Sequence, residues 1–216
     1  MYTLDQLSNR IIWNFKERRS GSTWFIAALC QSINKTSQTF YSHVWNDSYT
    51  KEFYKNRKQS HDDHKTILNG HDFCALEYIN NYTNPILIRN SRKNITEQFV
   101  SNYITRLTKI HNIKGSEIDN FPKFDPVTIH LDDVNFFIAR KKEIEKLWDT
   151  YASQYENETV YYEDLLEGWE STIFPVKLKM TDKDNELTKK LPYNKTELII
   201  NYNEIDSILK DKLGYR

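Results

Sequence analysis

Short apolar, β-prone runs alternate along this chain with longer stretches of helical periodicity, and few folds accept that pattern. Residues 10–17 (Arg-Ile-Ile-Trp-Asn-Phe-Lys-Glu), Thr66-Ile-Leu, Asn84-Pro-Ile-Leu-Ile-Arg and Thr159-Val-Tyr-Tyr read as strands. Pro85 falls at an early strand position, where a missing N–H does least harm. Between them, the segment from Thr23 to Ser32 reads as a largely buried helix, and 48–58 and 72–82 as shorter helices. Residues 92–110 carry Ile95, Phe99, Tyr103, Leu107 and Ile110 at helical spacing. Residues 131–155 predict the longest helix, with Leu131, Val134, Ile138, Ile144, Leu147, Trp148 and Tyr151 as its apolar positions. Residues 111–129 and the Lys-rich 175–195 read as loops, and 196–213 as a final helix. The alternation predicts an α/β sandwich with a mainly parallel central sheet. With 216 residues and no linker-like tract, a single domain over 1–216 is expected.

Composition excludes several classes of function. Thirty basic residues balance thirty acidic ones, which argues against a broad nucleic-acid-binding surface while leaving room for a local basic pocket. Aromatic residues reach 14%, too many for a disordered chain. No apolar run approaches the roughly 20 residues that span a bilayer, and the N-terminus has no signal-peptide pattern. Two cysteines, Cys30 and Cys74, make neither a disulfide framework nor a zinc spacing, so a cytoplasmic location is expected.

Glycine is scarce, five residues in all, where about 7% is usual. One of the five, Gly21, stands in a tight polar cluster, Arg18-Arg-Ser-Gly-Ser-Thr, at a strand-to-helix junction. In open α/β sheets ligands sit at the carboxyl ends of the strands, and a helix N-terminus there binds phosphate through its backbone N–H groups. Gly21 lets the backbone approach an anion, Ser20, Ser22 and Thr23 offer hydroxyl donors, and Arg19 adds a permanent charge with a forked donor. The pattern is not a Walker A loop, which needs a second glycine followed by Lys.

Arg19-Ser-Gly-Ser-Thr-Trp24 resembles the donor loop of the PAPS-dependent sulfotransferases (PAPS is 3′-phosphoadenosine 5′-phosphosulfate), closest in pattern to the bacterial-type carbohydrate members. The resemblance implies a P-loop-like three-layer sandwich in which this loop wraps the 5′-phosphosulfate, Arg19 reaches the leaving phosphate, and Trp24 faces adenine or joins the core. It also implies an Arg after a strand and a Ser eight or nine residues later, both holding the 3′-phosphate. Arg92 and Ser101 fit that spacing; Arg89, at the strand end, is the alternative. Tyr161-Tyr-Glu-Asp-Leu165 resembles a late-strand motif that supports the donor loop. The loop that closes over the nucleotide in cytosolic members has no counterpart here unless Lys183, Lys189 or Lys190 substitutes.

Sulfuryl transfer needs charge neutralisation on the leaving oxygen and a base for the acceptor hydroxyl. The loop and Arg19 suit the first role. Among six histidines, His71 follows a strand in the order the family uses for its base; His43 and Glu52 are alternatives. His61-Asp-Asp-His64 reads as a solvated turn, and no metal is expected. The acceptor is expected to be a carbohydrate or a small hydroxylated molecule. The competing expectations are a non-catalytic nucleotide-binding module of the same fold and a small P-loop kinase.

Overall fold

The computed structural model describes residues 1–39, 66–71, 73–109, 124–181 and 194–214. In chain order these form α1 (Leu4–Ser8), β1 (Ile12–Lys16), α2 (Ser22–Ile33), β2 (Thr36–Thr39), β3 (Thr66–Gly70), a 3-10 helix (Phe73–Asn81), β4 (Ile86–Ser91), α3 (Ile95–Thr108) and α4 (Leu131–Tyr151). They continue with β5 (Glu156–Tyr161), α5 (Tyr162–Glu167), β6 (Trp169–Glu170), β7 (Lys177–Leu178), α6 (Lys195–Leu198) and α7 (Tyr202–Leu213). The chain divides into two compact units: Met1–Ser91 with Ile144–Lys179, and Arg92–Glu143 with Met180–Arg216.

The first unit is built on a five-stranded sheet in the order β2-β3-β1-β4-β5, with every neighbouring pair parallel. Parallel strands are covered on both faces, so they need apolar residues at successive positions. The Ile-Ile-Trp run leading into β1 and the Ile-Leu-Ile run of β4 supply them. Alternation then sorts the side chains. Ile12, Ile67, Ile86, Ile88 and Val160 face Phe25, Ile26, Leu29 and Ile33 of α2. Trp13, Phe15, Leu68 and Leu87 face Phe73, Leu76 and Ile79 of the 3-10 helix and Ile144 and Trp148 of α4. This gives three layers, as the sequence predicts. The chain leaves β1 toward β2 on one side of the sheet and leaves β4 toward β5 on the other. β1 and β4 therefore flank the point where the strand order reverses, the place where open α/β sheets bind ligands.

Several expected boundaries move. The strand at 10–17 shortens to Ile12–Lys16, and the helix at 72–82 is of 3-10 type. The strand at Thr159–Tyr162 starts earlier, at Glu156, and ends at Tyr161; Tyr162 opens α5, whose first turn carries Glu163 and Asp164. Acidic residues there suit the positive end of a helix dipole. The sequence reading missed α1, although Thr3 and Gln6 form a reciprocal capping box.

The second unit packs Phe99, Val100 and Ile104 of α3 against Val134 and Ile138 of α4 and Ile205 and Leu209 of α7. The apolar string expected on α3 does not hold to its end, for Leu107 is 44% exposed. A strict i, i+4 string drifts about 40° around the helix per step, so Val100 and Ile104 take over the buried face. The single helix expected at 196–213 is two. Ile199 leaves α6 to bridge Val127, and the Asn201 side chain clamps the backbone N–H and C=O of Ile129, each at 3.0 Å.

The helix at 48–58, His43, Glu52, His61, His64, residues 111–123, and Lys183, Lys189 and Lys190 lie outside the described residues. Among the described residues no helix is long and apolar enough to cross a membrane, and no His/Cys/Asp/Glu group could hold a metal ion.

Candidate anion-binding site

Five residues, Glu17 to Gly21, carry the chain from the end of β1 to the start of α2. Arg19 and Gly21 both take the left-handed conformation, with φ of 62° and 71°. Left-handed residues two apart curl peptide N–H groups toward one side, the geometry of an anion-binding concavity. Gly adopts this freely, whereas for Arg19 it costs about 1–2 kcal/mol, so the surrounding loop must enforce it. Gly21 brings no side-chain oxygen to the first turn of α2, and that turn contains no acidic residue. The helix end thus keeps its positive character.

The hydroxyls divide their roles differently from the sequence expectation. Ser20 is buried and its Oγ donates to the Glu17 carbonyl at 2.7 Å. It braces the loop, and its one hydroxyl proton is used there. Ser22 is buried and Thr23 exposed. Trp24 is partly buried and packs against the core on the α2 side of the sheet.

Tyr162 covers the loop. A methyl group on Gly21 would stand 2.5 Å from Cδ2 of its ring. The Tyr161–Leu165 motif therefore does meet the donor-loop candidate, but from the first residue of α5 and not from a strand. Gly21→Ala is expected to lose about 1–2 kcal/mol through its positive φ alone, and more through the ring it displaces. Adding Tyr162→Ala should restore only the second part. Urea unfolding of the two single variants and the double variant separates the two, and full recovery in the double variant would refute the backbone term.

His71 follows β3 directly, and its Nδ1 lies 2.7 Å from the Lys16 carbonyl at the end of β1. A carbonyl only accepts, so Nδ1 carries the proton and Nε2 keeps a lone pair. Desolvation, the Lys16 charge and, more weakly, the Arg18 charge push the imidazole down to about 4. His71 is therefore neutral at pH 7. The fold thus brings His71 and the Arg18–Thr23 turn to the same end of the central strand.

Arg89 is engaged elsewhere. It lies inside β4 and is buried; its Nε and Nη2 donate to Glu17 Oε1 at 2.9 and 2.7 Å. Nη1 and Nη2 also donate to Glu145 at 2.9 and 2.6 Å, and the guanidinium lies 5.9 Å from the Trp148 ring centroid. Burial works against its charge, yet the hydrogen bonds and charges of Glu145 and Glu17 hold it firmly protonated. Four donor contacts to two carboxylates leave this guanidinium with little capacity for a phosphate.

In the second unit Arg92 and Ser101 are both buried. Ser101 occupies the middle of α3, where its carbonyl accepts from Thr105 Oγ1 at 2.7 Å. Glu97, one turn before Ser101, pairs with Lys195 and accepts from Tyr202 Oη at 3.2 Å. Burial would raise the Glu97 carboxyl, but Lys195 and Arg92 hold it low; burial and Glu97 push the Tyr202 phenol up to about 12.

The sequence reading did not single out Glu17, Glu145, Asn14, Asn69 or Asn90. A charged residue in the middle of an apolar strand, as Arg89 is, signals a buried acid elsewhere, but not which one. The sequence matches no known family model and no curated protein sequence.

Proposed function

We propose that the protein is a PAPS-dependent sulfotransferase that transfers a sulfuryl group to an acceptor hydroxyl on a carbohydrate or small hydroxylated molecule. The observation that carries this reading is the turn at the switch point of the sheet, where Arg19 and Gly21 curl the backbone ahead of a helix N-terminus free of acidic residues. In this reading Arg19 and the loop amides neutralise charge on the oxygen that leaves with the bisphosphate. The acceptor oxygen forms a bond to sulfur as the bond from sulfur to the bridging oxygen breaks. Nε2 of His71 takes the acceptor proton. The residue types also support Arg92 and Ser101 as holders of the 3′-phosphate, since Arg89 is committed to its two carboxylates.

The test compares adenosine 3′,5′-bisphosphate with AMP, which lacks the 3′-phosphate. At 100-fold saturation the bisphosphate is expected to stabilise the protein by about 2.7 kcal/mol, with far less for AMP at the same concentration. Arg92→Ala should weaken bisphosphate binding about 10- to 100-fold and leave AMP affinity nearly unchanged, since a hydrogen bond to a charged group is worth roughly 1.5–3 kcal/mol. Equal thermal shifts for the two nucleotides would overturn the PAPS reading. Tight bisphosphate binding with no sulfate transfer to any acceptor would point to a non-catalytic module.

A further inference from the structure

Beneath the Glu17–Gly21 loop, on the α2 side of the sheet, lies a layer of carboxamides. Asn14, Asn69 and Asn90 stand near the carboxyl ends of β1, β3 and β4. The two-residue period places them on the face that carries Ile12, Ile67 and Ile88, toward α2. All three are buried, Asn14 and Asn90 at 0% exposure. Asn14 Nδ2 donates to Asn69 Oδ1 at 2.9 Å. Asn14 Oδ1 has no hydrogen-bond partner, and Asn90 has none at either Oδ1 or Nδ2.

A buried amide without partners is costly to desolvate, so an idle one in the core calls for a function. Asn90 has the position for one. Its carbonyl accepts the N–H of Glu17, the first loop residue, at 3.0 Å. Its register partner is Lys16, the last residue of β1, on the same face. Burial lowers the Lys16 ammonium from its usual range. A cation and a carboxamide therefore sit side by side below a helix N-terminus and two left-handed loop residues. The polarity of the layer follows from its one formed bond. Because Asn14 donates to Asn69, its own Oδ1 is left as an acceptor, and Asn90 keeps both its donor and its acceptor capacity.

We infer that the Asn90 carboxamide is a further anion-contacting group of this site, donating from the sheet to a phosphate or sulfate oxygen held by the Arg19–Ser22 turn. This rests on the reading of the turn as an anion site. It adds a donor from below that neither the loop motif nor the Arg92–Ser101 pair supplies.

The experiment uses the full chain labelled with 15N-asparagine and titrated with inorganic sulfate and with adenosine 3′,5′-bisphosphate. The Asn90 side-chain amide signals are expected to shift with the same affinity as the backbone amides of the loop. Asn90→Ala should weaken bisphosphate binding roughly tenfold or more, and Asn90→Asp, which turns a carboxylate toward the anion, should weaken it further. Asn90→Leu should leave the unliganded protein as stable as before or more so, because an unpaired amide is removed, while still losing affinity. A merely structural amide would give the opposite pattern: lower stability and unchanged affinity. Unchanged affinity in Asn90→Ala and Asn90→Asp, with normal binding by the wild type, would overturn this inference and leave the proposed function standing. If the substituted proteins do not fold, a silent Asn90 side chain in the wild-type titration overturns it equally. No nucleotide binding by the wild type, with Asn90 still responding to sulfate, would remove the PAPS reading and keep the anion contact.

Discussion

Arg89→Ala is expected to lower folding stability by about 3–5 kcal/mol, the cost of stripping one partner from a buried ion cluster. The size follows from what remains. Glu17 is 3% exposed at its side chain and would keep a carboxylate with neither its charged partner nor water. Glu145, at 36%, could turn to solvent. Glu17→Gln should therefore cost more than Glu145→Gln, and both less than Arg89→Ala. The cluster is not expected to be a large net gain over an apolar one. Replacing Arg89 with Met and Glu17 with Leu together should recover much of the loss, because both desolvation penalties vanish with the pair. Urea unfolding of the four variants measures this. A stability loss below about 1 kcal/mol in Arg89→Ala would mean the triad does not hold the base of the loop. Loss of 3′-phosphate recognition in a fully stable Arg89→Ala protein would favour Arg89, the alternative, over Arg92 for the proposed role.

That same residue shows where sequence reading stops. The strand was legible because apolar residues at successive positions have few alternatives in an α/β pattern. The partners of Arg89 were not, because Glu17 lies 72 residues away and Glu145 lies 56 away. The parallel register of β1 and β4 places Phe15 beside Arg89 and so brings Glu17 near its guanidinium. Register is a tertiary fact that neither segment encodes alone. The turn at Gly21 could be placed from its neighbours, since strand, polar cluster and helix follow in order. The left-handed Arg19 could not, because nothing in a local pattern asks a non-glycine residue for a positive φ. Tyr162 misled for a simpler reason. Val-Tyr-Tyr is strand-like by propensity, and the Glu-Asp that follows is the helix start signal that outweighs it. The carboxamide layer needs one face of three strands at once. Asn14, Asn69 and Asn90 are unremarkable one at a time and form a set only when the sheet order is known.

His71→Ala is expected to cost roughly 10²–10⁴ in kcat, the usual contribution of a general base, with bisphosphate affinity intact. The environment argues for the lower end of that range. An imidazole pushed down to about 4 is a weaker base than an unperturbed one near 6.5, so it draws less strongly on the acceptor proton. The same shift fixes the pH profile. The base works when unprotonated, so its contribution to kcat/KM should be level above about pH 5 and fall as the pH drops through about 4. An unperturbed histidine would instead lose activity through pH 6.5. Lys16→Met removes one of the two charges that depress the imidazole and should move the acid limb upward, toward neutrality. The assay is transfer of labelled sulfate from PAPS to a panel of sugars and phenols across a pH range that brackets both values. Near-normal turnover in His71→Ala would assign the proton to His43 or Glu52. An acid limb near 6.5 that Lys16→Met leaves in place would show that the titrating group is not the imidazole bonded to the Lys16 carbonyl.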